Sequence, residues 1–180
     1  NISCPNVEDE FGKPFAYDKD MASRLTEEVK QSIKIPVFVK LSPNIPNISE
    51  IAKAVEEAGA DGITAVNTVG PGMVIDTKVA KPVLSNKTGG VSGPAIKPIA
   101  VRCVYDIYKS VNIPIIGTGG VTTGEDAVEM FMAGASAVGI GSGVYYRGVD
   151  IFKKISNEIL EFMEEEGYSK IKDMVGIAHD

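Results

Sequence analysis

The sequence is poor in the residues that most often do chemistry. It holds one histidine, His179, at the next-to-last position, and two cysteines, Cys4 and Cys103. A Ser-His-Asp triad or a histidine-based metal site would rest on that tail residue, so neither is expected, and no metal is expected. The cysteines form no Cys-x-x-Cys or metal-spaced cluster, which fits a reduced, cytoplasmic protein. Basic residues are outnumbered, 18 against 24 acidic ones, for a net charge of −6. That balance argues against a nucleic-acid partner, which would want a basic face. No apolar run is long enough to span a bilayer and no signal peptide is visible, so no membrane role is expected. A start methionine and a leading strand are also missing, and the first motif opens at Asn1.

What is present is enough for one domain over residues 1–180, with 44% hydrophobic residues to build a core. Short β-rich runs, 35–41, 62–66, 113–116 and 137–140, alternate with helical patterns. Such near-continuous apolar runs suit a buried parallel sheet. Over 18–33, Met21, Leu25, Val29 and Ile33 share one helical face. Asn47 with Glu50 reads as a capping box for a helix with Ile48, Ile51, Ala52 and Val55 inward. Pro94 suits the first turn of a third helix, with Ile96, Ala100, Cys103, Val104 and Ile107 inward. Thr123 with Asp126 opens a fourth, which stops at Gly134. A helix over roughly 149–166 is expected to bury Phe152, Ile155, Ile159 and Phe162 and to leave Glu161, Glu164, Glu165 and Glu166 in solvent. A short helix and tail follow over 168–180. A βαβ unit recurs faintly: 35–39 resembles 113–116, and 58–62 resembles 133–137.

Repeated βα units with active loops after the strands describe a (β/α)₈ barrel, which needs about 250 residues. The expected architecture is therefore α/β, the C-terminal part of a TIM barrel, about strands 4–8, lacking its N-terminal strands. A flavodoxin-like open sheet is the alternative. Residues 67–92 break the pattern and read as a β-hairpin inserted after a barrel strand, where insertions build active sites.

Two glycine clusters, 117–120 and 139–143, end the last two strands. Backbone N–H groups free of Cβ can close around a phosphate at that position of a barrel. A Rossmann fingerprint would need glycine at Thr122 or Val144, and no Walker A motif occurs. Lys40 lies in an apolar strand just before Ser42-Pro43-Asn44. It is either a lysine that reaches solvent or a cation beside a ligand that gains negative charge, such as a reduced flavin. Asn67-Thr68 ends the next strand, and Asn1 and Asn6 frame Cys4. Amides offer both donor and acceptor and suit a planar heterocycle, although each alone reads equally as a turn residue. Cys4 can be a base, a nucleophile or an inert thiol. Cys103, among apolar helix residues, reads as core.

Together these stations resemble dihydroorotate dehydrogenase of class 1, and its class 1B branch most. They are Asn1-Ile2-Ser3-Cys4-Pro5-Asn6, Val39-Lys40-Leu41-Ser42-Pro43-Asn44, Asn67-Thr68, 89–98, 117–121 and Gly141-Ser142. A cysteine at position 4 argues against class 2, which uses serine there. The resemblance implies that Cys4 is the base taking the C5 proton of dihydroorotate while FMN accepts the C6 hydride. It implies that Asn1 touches flavin and substrate, that Lys40 sits by the flavin ring, and that Val66 contacts FMN through its backbone. Asn67 and Thr68 would bond the orotate ring. Gly93, Gly119, Gly120, Gly141 and Ser142 would surround FMN, the last four at its phosphate end. It further implies a homo-oligomer and a partner subunit whose FAD and 2Fe–2S cluster pass electrons to NAD⁺. The family's first strands, which supply another substrate lysine and asparagine, are not among these residues, so full activity of this piece alone is not expected. Competing readings are a dihydropyrimidine dehydrogenase-like flavoenzyme, a non-catalytic barrel fragment that binds FMN or a phosphate compound, and a phosphate-binding isomerase or aldolase.

Overall fold

A computed structural model describes residues 1–3 and 15–179. Its frame is a four-stranded parallel sheet of β1 (Phe38–Leu41), β2 (Gly62–Ala65), β7 (Ile115–Thr118) and β8 (Ala137–Gly139), in that order. Three of the helices that precede or link these strands are α1 (Lys19–Ser32), α2 (Ile48–Glu57) and α4 (Gly124–Met132). They are joined by α3 (Lys97–Tyr108) between β2 and β7. Spatial order follows chain order, with every neighbouring pair parallel. A doubly wound sheet would reverse direction at a switch point. This sheet does not, and it is one wall of a barrel.

The strands alternate between two surroundings. Val39, Leu41, Ile63 and Ile115 are buried and join the core under the helices, with Val55, Val104, Ile107 and Met130. Lys40, Thr64 and Ile116 stand in one register row on the other face. That row is half-buried.

Between β2 and α3 the chain leaves the sheet as an arm. Its root pairs β3 (Val69–Gly72) with β6 (Gly89–Val91), and its tip pairs β4 (Ile75–Asp76) with β5 (Lys81–Pro82), both antiparallel. The expected inserted hairpin is therefore present. The internal repeat also has a structural basis. The turns after α2 and α4 make matching bonds, Ala60 N–H to Val55 C=O and Ala135 N–H to Met130 C=O, around Gly59 and Gly134. Both glycines have positive φ, at 93° and 119°.

Several local expectations need correction. Asn47 makes no side-chain cap; its amide donates instead to the Glu50 carboxylate at 2.9 Å. On α1 the buried residues are Ala22 and Thr26, whereas Val29 and Ile33 are exposed. The helix expected over roughly 149–166 is present as α6 (Ile151–Glu166), but a short α5 (Gly143–Arg147) precedes it that was not expected. Ile151 sets the phase of α6, so Ile151, Ile155, Ile159 and Met163 face inward and Phe152 is 53% exposed. Phe162 is half-buried and stacks on Tyr168. The third strand lies two residues later than expected. The tail forms two 3₁₀ turns, Ile171–Asp173 and Ile177–His179, and no α-helix.

Candidate functional site

Because all four strands run the same way, their C-terminal ends share one rim. Lys40, Val66, Asn67, Thr68, Ser92, Gly93, Ile96, Thr118, Gly119, Gly120, Gly141 and Ser142 line a single cleft there of about 120 Å³. That is below the roughly 300–1,000 Å³ of a drug-sized pocket. It has room for the phosphate end of a nucleotide, and a ring system would extend over the open face of the sheet.

At one end of the cleft the donors are backbone groups. Among the described residues, the N–H groups of Gly119, Gly120, Gly141 and Ser142 have no backbone partner. The turn is packed too tightly for a side chain: at Gly120, with φ of 77°, a Cβ would lie 2.9 Å from the Gly93 carbonyl oxygen and from the Lys97 nitrogen. That nitrogen belongs to the first turn of α3, so a helix N-terminus adds its dipole to the same space. The nearby cations are already engaged. Lys97 pairs with Asp126 at 2.8 Å and with Glu129, and Arg147 pairs with Glu158 at 2.6 Å. Four N–H groups without a backbone partner among the described residues, beside turns at Gly119 and Gly120 packed too closely on α3 for a side chain, fit an anionic phosphate.

At the other end the donors are side chains. Lys40 takes part in none of the ion pairs among the described residues. Asn67 and Thr68 follow β2, after a cis Ala65–Val66 peptide. The Asn67 N–H continues the ladder to the Leu41 carbonyl at 2.9 Å. Its side-chain carbonyl accepts the Thr68 N–H at 2.8 Å, and its amide donates to the carbonyl and hydroxyl oxygens of Ser3, each at 3.0 Å. Ser3 is buried and donates its hydroxyl to the Asn1 side-chain oxygen at 2.7 Å. Asn1 therefore reaches the site through Ser3 and Asn67. It is exposed and lies along a neighbouring apolar groove with Ile2, Val37 and Phe38.

Cys4 and Asn6 lie outside the described residues, but Ser3, the residue before Cys4, is anchored on Asn67. Cys103 is buried, and burial pushes its thiol up to about 11, which makes it a core residue and a poor base. Sequence reasoning did not select Ser92, Ile96 or Thr118 as lining residues. For Thr118 the signal was available, since strand alternation puts it on the face of Ile116.

The dihydroorotate dehydrogenase family profile matches residues 1–163. Dihydroorotate dehydrogenase B (NAD(+)), catalytic subunit, from Methanocaldococcus jannaschii is 52% identical over 180 residues, covering the whole chain and 58% of that protein. The proteins of the same name from Methanothermobacter thermautotrophicus and Bacillus cereus are 49% and 50% identical, with 59% and 56% of their lengths covered. The chain thus spans less than three-fifths of the length of the curated relatives it matches. The crystal structure of DHODH from Eimeria tenella in complex with ferulenol superposes with a TM-score of 0.77 at 26% identity, over 90% of this chain and 49% of that one.

Proposed function

The chain belongs to the dihydroorotate dehydrogenase family, and from that premise we propose that it forms the catalytic rim of an FMN-dependent enzyme that oxidises dihydroorotate to orotate in pyrimidine biosynthesis. The observation that carries this reading is the gathering of a phosphate-type cradle, a lysine in no ion pair among the described residues and the Asn67–Thr68 pair in one cleft, with Ser3 of the cysteine loop bound to Asn67.

FMN, held by Lys40, Val66, Gly93, Gly119, Gly120, Gly141 and Ser142, would supply the acceptor for the C6 hydride. The protein's own part is acid–base chemistry and placement. Cys4 takes the C5 proton; a free thiol has a pKa of roughly 8.5, so modest tuning suffices near neutrality. The Lys40 ammonium lies where negative charge develops during reduction and stabilises it. Asn1, Asn67 and Thr68 hold the pyrimidine ring by hydrogen bonds. With its side-chain nitrogen committed to Ser3, Asn67 offers the ligand a carbonyl lone pair, while the Thr68 hydroxyl can donate or accept. The relatives are called catalytic subunits, and the proposed partner is a second subunit that carries FAD and a 2Fe–2S cluster and delivers electrons to NAD⁺.

The test uses the full-length protein without oxygen. Its visible spectrum should be that of a flavin and should bleach when dihydroorotate is added. Cys4→Ser should retain FMN and slow bleaching by at least tenfold near neutral pH, because serine is the far weaker base. A colourless protein that takes up no FMN would remove the reading. Equal bleaching rates would remove Cys4 from it.

A further inference from the structure

We infer that Asn44 is a positioning residue: its side-chain amide fixes Thr68 and the root of the arm, and so sets where the Asn67–Thr68 pair meets the substrate. The inference deepens the proposed function and rests on it.

Asn44 lies in the loop between β1 and α2 and does not line the cleft. Its side-chain nitrogen donates to the Thr68 carbonyl at 3.1 Å, and its side-chain oxygen accepts the Gly70 N–H at 3.0 Å. One planar group thus grips both ends of the segment 68–70, where the chain leaves the sheet and enters β3. The amide orientation is forced, because a flipped side chain would set donor against donor and acceptor against acceptor. Asn44 is itself held, since its N–H donates to the hydroxyl of Ser42 at 3.2 Å and Ser42 is buried. The grip runs from a core-anchored loop to the backbone of Thr68, whose hydroxyl lies against Gly90.

Gly90 of β6 holds the other side of Thr68. A Cβ built on Gly90 would lie 2.0 Å from the Thr68 hydroxyl oxygen and 2.5 Å from its Cβ. The Thr68 side chain therefore rests on bare backbone, with the Asn44 clamp behind it. Loss of the clamp frees the backbone of Thr68, and a methyl at Gly90 displaces its side chain. Both changes act on the substrate side, while the N–H groups of Gly119, Gly120, Gly141 and Ser142 come from other loops.

The test compares full-length, FMN-loaded wild type with Asn44→Ala and Gly90→Ala. Orotate binding is measured by calorimetry, alongside FMN stoichiometry, melting temperature and the steady-state constants for dihydroorotate. In both variants the orotate Kd and the dihydroorotate KM should rise about tenfold, the effect of one or two lost hydrogen bonds. FMN content should stay unchanged, the melting temperature should shift by only a few degrees, and kcat should stay within about threefold. An orotate Kd within twofold of wild type in both variants would overturn the inference. Loss of FMN or of cooperative melting in step with orotate affinity would also overturn it, since Asn44 would then be a folding residue only. Wild type that binds FMN but not orotate would remove the substrate reading itself, an outcome distinct from wild-type binding with unaffected variants.

Discussion

A methyl group added at Gly141 meets opposite surroundings from one added at Gly120. At Gly141 no atom lies within 4 Å of the new Cβ and the backbone needs no positive φ, so the methyl projects into open space beside the cleft. At Gly120 it strikes the Gly93 carbonyl and the first turn of α3 in a conformation that side chains rarely adopt. Gly141→Val should therefore leave the melting temperature unchanged and weaken FMN retention about tenfold or more, measured by flavin content after dialysis. Gly120→Ala should lower stability by about 1–3 kcal/mol in denaturant titration, the cost of a strained backbone with little room to relax. A stable Gly120→Ala protein would mean that the turn is slack and no cradle. Gly119 behaves like Gly120, since its Cβ would lie 2.7 Å from Ala100 of α3. Valine at Gly119 would disturb helix packing before it blocked a ligand.

At the scale of elements, α4 shows how the rim is held. Thr123 accepts the Asp126 N–H, and the Asp126 carboxylate accepts back from the Thr123 N–H at 3.0 Å and from Thr122. Burial would raise the Asp126 carboxyl, but the Lys97 ammonium and the Thr122 and Thr123 donors reverse this and hold it down at about 2. A carboxyl lowered on folding stabilises at pH above its unfolded value, near 4, and loses that contribution as pH falls towards 2. Asp126→Asn should cost about 1 kcal/mol at neutral pH after solvent screening and should flatten the acid limb of the stability curve between pH 4 and 2. An unchanged acid limb would place the acid sensitivity elsewhere. This capping box was legible because its signal is local: two residue types three apart ahead of an apolar run. The same spacing misled at Asn47, whose amide found a better partner in the Glu50 side chain. The phase of α6 was missed because Phe152 and Ile151 are equally apolar, and packing against Gly143 and its neighbours decides between them. In the candidate site, the glycine loops, Lys40 and Asn67-Thr68 were readable as odd residues at strand ends. Asn44 was not, since its role depends on two backbone groups more than twenty residues away, brought close by the parallel pairing of β1 with β2.

Across the whole molecule, the sheet order leaves β1 and β8 as edges among the described residues. A barrel abolishes edges, and an open parallel sheet of buried-type strands presents unpaired backbone and apolar side chains for adventitious pairing. Beside β1 the structure has an apolar groove of about 280 Å³ lined by Phe15, Leu25, Val29, Val37, Phe38 and Val39. Phe38 is 41% exposed, and its ring lies over Gly62, in the space a Cβ there would fill. The ring sits on the same strand face as Lys40, the face that a closed barrel would enclose. One substitution should then act with opposite sign in two settings. In residues 1–180 produced alone, Phe38→Ser should reduce self-association and dye binding to exposed apolar surface, because it removes an exposed aromatic at a sheet edge. In a chain of the relatives' full length, the same change should destabilise by about 3–5 kcal/mol, the usual cost of deleting a buried aromatic side chain. Light scattering on the first protein and denaturant titration on the second read the two effects. If Phe38→Ser is neutral in both, the β1 face is an ordinary solvent surface, and the sheet closes elsewhere. If the signs differ as argued, the groove beside β1 is the seam at which the barrel completes itself, and Lys40 stands at the top of that seam, facing the enclosed side.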